Sequence, residues 1–180
     1  MTALAQRTDV AASADATTLD RAVAAVGSLT ERIAIIRAAV PGRIAFSTSL
    51  GIEDQAILHA IAERGADIDV FTLDTGRHFP ETLETLAASE ARYGLRIRLV
   101  APDAGDLEAL VARDGVLGFR ASIEARKACC DVRKVRPLNR ALAGATGWIT
   151  GLRRGQSRGR NEIAFAENDA AHARIKLAPI

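Results

Sequence analysis

The chain has 180 residues, 48% of them hydrophobic and 4% aromatic, with 24 Lys/Arg against 22 Asp/Glu for a net charge of +2. That length fits one domain with a proper core, and an alanine-heavy, aromatic-poor content suits helices packed on a sheet rather than a β-sandwich. No apolar run reaches a membrane span and the start lacks the basic-then-apolar layout of a secretory leader, so the chain reads as cytoplasmic, with no membrane partner.

Residues 1–16 are rich in Ala, Thr, Ser and Asp without periodicity and read as a disordered N-terminal tail; Asp9 and Asp15 argue against an organellar transit peptide. Residues 17–180 read as one α/β domain. Leu19 to Val40 gives two helices, the second opened by Ser28 and Glu31 at capping-box spacing and ended by Pro41-Gly42. A strand is expected at about 43–47, a helix at about 53–63 closed by Gly65, and a second strand from Asp69 to Leu73. Pro80 starts a helix that Tyr93-Gly94 ends, and Arg96–Val100 makes a third strand. A shorter helix follows from Asp106, then basic helices over about 122–142 with a break at Pro137. Trp148–Thr150 makes a fourth strand, and Ile163–Ala166 and Arg174–Leu177 a last pair. Strands and helices alternating in this way predict a mainly parallel sheet with helices on both faces.

Such sheets bind ligands beyond the carboxyl ends of their strands, where strand order reverses. Four stretches fall at that edge: Ser47–Asp54, Asp74–Phe79, Ala101–Gly105 and Gly151–Ser157. The first, within F-S-T-S-L-G-I-E-D, is a strand–loop–helix corner of small hydroxylated residues. Free N–H groups at the start of its helix would seat a phosphate or sulfate, or its hydroxyls merely cap the helix. In the second, Arg77 would project over the edge towards an anion while Leu73 bounds a flat apolar pocket; His78 reads as a turn residue and His59 as a packed or capping histidine. In the fourth, Arg153 and Arg154 stand in a small-residue frame, and guanidinium forks suit phosphate or sulfate oxygens. Residues 120–160 hold eleven Lys/Arg and two acids, which points to an anionic ligand. Nucleic acid is disfavoured, because no aromatics are interleaved with these cations and no nucleic-acid motif is present.

Cys129 and Cys130, the only cysteines, stand side by side in K-A-C-C-D-V-R-K-V. Neighbouring cysteines rarely bridge, and a cytoplasmic chain should carry no structural disulfide. They are either two buried thiols or, with four cations flanking them, thiolates suited to a metal or iron–sulfur centre. An iron–sulfur cube needs about four thiolates and the chain has two cysteines; zinc also accepts such ligands.

Taken together, F-S-T-S-L-G-I-E-D-Q, L-D-T-G-R-H-F-P-E-T, K-A-C-C-D-V-R-K-V-R-P-L and W-I-T-G-L-R-R-G-Q-S resemble the assimilatory sulfonucleotide reductases, the adenylyl-sulfate and phosphoadenylyl-sulfate reductase family, over about residues 43–160. The resemblance implies an adenine-nucleotide α-hydrolase-like fold. It places Ser47, Ser49 and Gly51 at the phosphate/sulfate end. Leu73, Thr75, Gly76 and Arg77 would hold the nucleoside; Arg133, Lys134, Arg153 and Arg154, framed by Gly151, would be anion ligands. It makes Cys129 and Cys130 two ligands of a [4Fe-4S] cluster, the mark of the branch that mostly prefers adenylyl sulfate. In this family a thiolate attacks the sulfur of the sulfonucleotide, AMP leaves, and thioredoxin or glutaredoxin then frees sulfite from the enzyme S-sulfonate. The family's second cysteine pair, a C-x-x-C, and its nucleophile, in E-C-G-x-H, lie downstream of anything in this sequence. The chain is therefore expected to be truncated, with no catalytic residue of its own and no turnover alone; a homo-oligomer is compatible with it. Gly155 also departs from the family, where an acidic residue is common.

The alternatives are a phosphoadenylyl-sulfate reductase, a PP-loop enzyme that cleaves ATP to AMP and pyrophosphate, and a nucleotide- or nucleic-acid-binding module without catalysis. The PP-loop pattern S-G-G-x-D-S is poorly met, because Leu50 replaces a glycine and Gln55 follows Asp54.

Overall fold

A computed structural model describes residues 15–153 and 163–180. Its sheet has six strands, β1 (Ile44–Ser47), β2 (Asp69–Leu73), β3 (Arg98–Val100), β4 (Gly147–Thr150), β5 (Ala166–Asp169) and β6 (Arg174–Leu177), in the order β3-β2-β1-β4-β6-β5. Every neighbouring pair is parallel except β5 with β6. Around it lie α1 (Ala16–Ala24), α2 (Leu29–Ala39), α3 (Ile52–Arg64), α4 (Pro80–Tyr93), α5 (Ala104–Asp114), α6 (Ile123–Cys130) and α7 (Arg136–Leu142). The α/β class with a mainly parallel sheet is thus as expected. No helix among the described residues is long and apolar enough to cross a membrane.

The strands alternate between two cores, as a period of two residues requires. Ile44, Phe46, Val70, Ile149 and Leu177 face the larger core with α1, α2 and α3, whereas Ala45 and Phe71 face a smaller one with Ala141 and Leu142 of α7. Burying each of the larger side chains stabilises the fold by about 1.5–3 kcal/mol. At the amino ends of the strands, the Asp69 carboxylate accepts from Arg43 at 2.6 Å and Arg98 at 2.7 Å, clasping β1, β2 and β3.

Several boundaries differ from the sequence reading. Asp15 and Ala16, assigned to the tail, cap and open α1: the Asp15 carboxylate accepts from the N–H groups of Thr17 and Thr18. Ser28 occupies the N-cap of α2, yet its side chain makes no capping bond. Strand β3 starts two residues late because the Ile97 N–H donates to Glu90 Oε1 at 2.8 Å instead of joining the ladder. β5 covers Ala166–Asp169 rather than Ile163–Ala166, in register with β6. His59 is exposed, 3.9 Å from Glu63 on the next turn and with its ring 6.1 Å from that of Tyr93. The basic helix breaks before Pro137: residues Asp131–Val135 form a π turn, with the Arg136 N–H donating to the Asp131 carbonyl five residues back. Pro137 offers no N–H and its ring crowds the carbonyl of Arg133, so the strain is taken up upstream as a widened turn.

The chain runs outwards from β1 through β2 to β3, then returns to place β4 on the other side of β1. The carboxyl ends of β1 and β4 therefore diverge into loops on opposite sides of a crevice.

Candidate functional site

A cleft of about 610 Å³ opens at that crevice. Ser47, Thr48 and Ser49 after β1 form one side, Thr72 and Leu73 of β2 lie along it, and Trp148 of β4 contributes a ring. The opposite wall comes from α6 and the π turn, with Arg126, Cys129, Cys130, Arg133 and Lys134. Parts of Ser47–Asp54 and Asp74–Phe79 thus line this cleft, and Gly151–Arg153, the described part of the fourth stretch, lies beside it. The exception is Ala101–Gly105: the Ala101 carbonyl accepts from Arg140 and Ala104 opens α5.

The loop after β1 is held by internal bonds. Thr48 N–H donates to the Phe71 carbonyl at 2.8 Å and Leu50 N–H to Thr48 Oγ1 at 3.0 Å. Ser49 gives both its N–H and its hydroxyl, the latter at 2.7 Å, to the buried carboxylate of Asp54. Leu50 is left-handed at φ 63° and 8% exposed; burial of its side chain offsets a conformation that costs a non-glycine residue about 1 kcal/mol. The N–H groups of Thr48, Ser49 and Leu50 are thus spent within the loop and on β2, that of Ser49 on Asp54. Asp54 also presses on the turn after β4: a Cβ on Gly151 would lie 1.8 Å from Asp54 Oδ1. Ser47 differs from Ser49. Its Oγ accepts from Trp148 Nε1 at 2.8 Å, which leaves its own proton to donate into the cleft.

The cations divide into committed and uncommitted groups. Arg77 lines the cleft at this edge, donating to the Val116 carbonyl and stacking 4.7 Å from the centre of the Phe119 ring. Arg133 is buried and donates through Nη1 to the Thr75 carbonyl at 2.6 Å, while its Nε has no partner. That bond fixes the turn of Thr75 and Gly76, where Gly76 is left-handed at φ 65° and 3.2 Å separates its would-be Cβ from Arg133 Nη1. His78 Nε2 contacts the Leu73 carbonyl at 2.8 Å, a turn residue as expected. Arg153 pairs with Glu53 at 2.8 Å, on the same rim as Ser49 and Gly51 but outside the cleft lining. Arg154 lies outside the described residues, as do Gly155 and Ser157. Lys134 and Arg126 are exposed to the cleft and make no ion pair among the described residues.

Sequence reading missed Asp54, Arg126, Phe119 and Trp148. Only Arg126 carried a local signal: it precedes Cys129 and Cys130 by three and four residues, the spacing of one helix face. Both thiols are free and reach the cleft, Cys129 half-buried and Cys130 exposed, so they are not two buried core thiols. Among the described residues no group of three or more His, Cys, Asp or Glu could hold a metal. Two adjacent cysteines beside Arg126 and Lys134 suit an anionic iron–sulfur centre in kind, but they are half the set a cube requires.

A switch-point cleft with a cationic wall, a thiol pair and a ring-lined flank marks an α/β protein with a concave site at the carboxyl edge of its sheet. Residues 43–180 match the family model described as the phosphoadenosine phosphosulfate reductase domain, and the chain belongs to that family. It is 49% identical over 166 residues to an adenosine 5'-phosphosulfate reductase of Agrobacterium fabrum, covering 92% of this chain and 63% of that one. To the protein of the same name from Allochromatium vinosum it is 47% identical over 137 residues, covering 76% and 54%. The chain therefore spans about three-fifths of the length of such relatives. A crystal structure of phosphoadenylyl-sulfate reductase from Candida auris, a phosphate complex, superposes with a TM-score of 0.75 at 20% identity, covering 99% of this chain and 80% of that chain; at that identity the likeness is one of fold.

Proposed function

We propose that this chain is the substrate-binding part of an assimilatory adenylyl-sulfate reductase, a cytoplasmic oxidoreductase of sulfate assimilation. The observation that supports this most is the pairing of uncommitted Lys134 and Arg126 with the Ser47 hydroxyl across one cleft. The nucleoside lies along Leu73 and the Thr75–Gly76 turn, and the phosphosulfate faces Lys134, Arg126 and Ser47. Arg133 acts by holding the turn, and its unpaired Nε is a further donor. Ser49 and Gly51 shape the rim, and Arg153 joins the anion from outside the cleft, with Gly151 and Arg154 in its loop.

In the proposed reaction a thiolate attacks the sulfur, the S–O bond to the phosphate breaks, and AMP leaves with that electron pair. A dithiol such as thioredoxin or glutaredoxin then attacks the S-sulfonate, releases sulfite and is oxidised to a disulfide. Cys129 and Cys130 are allotted to ligating a [4Fe-4S] cluster whose other ligands are not among the described residues; neither is assigned the attack.

Equilibrium binding to adenylyl sulfate, phosphoadenylyl sulfate, ATP and a short RNA tests the reading. Adenylyl sulfate should bind best and ATP should not be cleaved; pyrophosphate release from ATP, or RNA binding without adenylyl-sulfate binding, would overturn it. The alternative, a preference for phosphoadenylyl sulfate, draws on Arg126 and Arg120, which line a further groove at the mouth of the cleft.

A further inference from the structure

Trp148 and Ser47 stand on neighbouring parallel strands, whose register sets Ala45 opposite Trp148 and Ser47 opposite Thr150. With a side-chain period of two, Ala45, Ser47 and Trp148 share one face of the sheet. The half-buried indole packs there against the smaller core, and its Nε1–H reaches diagonally across to Ser47 Oγ at 2.8 Å. A serine hydroxyl has one proton and two acceptor sites, whereas an indole N–H can only donate. Trp148 therefore fills one acceptor site of Ser47 and cannot take its proton. Among the described residues the Ser47 hydroxyl donates to no protein group, and both side chains line the cleft. Ser49, two residues on, is the contrast: it spends its proton on the Asp54 carboxylate at 2.7 Å.

We propose that Trp148 is a positioning residue for ligand binding: its N–H holds the Ser47 oxygen from one side, so that the hydroxyl proton is presented to an oxyanion in the cleft. This rests on the sulfonucleotide reading given above, in which Ser47 meets the phosphosulfate. Trp148 acts through Ser47, and its own N–H is spent on that oxygen rather than on the ligand. A hydroxyl with no fixed neighbour is spread over about three staggered positions, so pinning it in one favours binding by about threefold. Accepting from the indole also polarises the Ser47 hydroxyl as a donor, because hydrogen bonds in a chain strengthen one another.

The test is a double-mutant cycle, read as equilibrium affinity for adenylyl sulfate in the wild type, Trp148→Phe, Ser47→Ala and the double variant. Phe keeps a packed ring and loses the N–H. Ser47→Ala should cost about tenfold, one hydrogen bond to a charged group, and Trp148→Phe about threefold. The double variant should lose no more than Ser47→Ala alone, because no hydroxyl is left to position. A ring that serves only as packing or as a wall gives Trp148→Phe the same loss with and without Ser47. That result, or unchanged affinity in Ser47→Ala, overturns the proposal while leaving sulfonucleotide binding intact. Trp148 is the only tryptophan of the chain, so replacing tryptophan throughout with benzothienylalanine puts sulfur in place of this N–H and keeps the ring size. The threefold loss should recur in that protein even where Trp148→Phe folds poorly, and full affinity there overturns the proposal. A wild type that binds no adenylyl sulfate instead removes the reading beneath it.

Discussion

At the scale of single residues, charge availability separates side chains that look alike in the sequence. Lys134 faces the cleft uncommitted whereas Arg153 is shared with Glu53. Lys134→Ala is therefore expected to weaken adenylyl-sulfate binding about tenfold, the loss of one charge-assisted bond, and Arg153→Ala less; calorimetry on both variants checks the order. Neither should unfold the domain, since both side chains are exposed. Gly151 is different. A methyl group there would collide with the carboxylate of Asp54, so Gly151→Ala is expected to destabilise by about 1–3 kcal/mol, measurable as a lowered denaturation midpoint. These partnerships were hidden in the sequence. A guanidinium bonds to whatever carbonyl the fold brings near, and for Arg77 and Arg133 those carbonyls belong to Val116 and Thr75, 39 and 58 residues away.

At the scale of elements, the strand–loop transitions were legible because they are local. Ser47–Gly51 and Leu73–Arg77 follow short apolar runs, and a parallel strand delivers its next loop to one edge whatever else the chain does. The break in the basic helix was legible only in part, since Pro137 marks a conflict but the relief appears at Asp131–Val135. Trp148 was readable as a strand residue, but its bond to Ser47 depends on β4 lying beside β1, a tertiary fact. The opposite edge of the same strands offers a control. Burial would raise the Asp69 carboxyl, but the bonds and charges of Arg98 and Arg43 outweigh it and hold the group below the ordinary value. A depressed folded value means the contribution is complete above the unfolded aspartate range, near pH ~4, and is lost as pH falls through the folded value. Asp69→Asn should therefore lower stability at neutral pH by about 1 kcal/mol or less, given the solvent screening. The difference from wild type should vanish in acid, with ligand binding unchanged; chemical denaturation at several pH values reads this.

At the scale of the molecule, a basic segment is folded against the open edge of a sheet whose remaining sequence carries an excess of acid. The field at the cleft is thus a local product of α6 and the turn after it, which predicts ligand affinity that weakens steadily as salt rises. In the proposed reading the ligand is a sulfonucleotide and its anion rests against the uncommitted charges of Lys134 and Arg126. Titrating adenylyl sulfate into the wild-type chain and into Lys134→Ala tests that placement most directly. Saturable one-to-one binding that drops about tenfold in the variant, with both proteins equally folded, is the expected result; equal affinity in the two, or no binding to the wild type, would contradict a sulfonucleotide site on this wall.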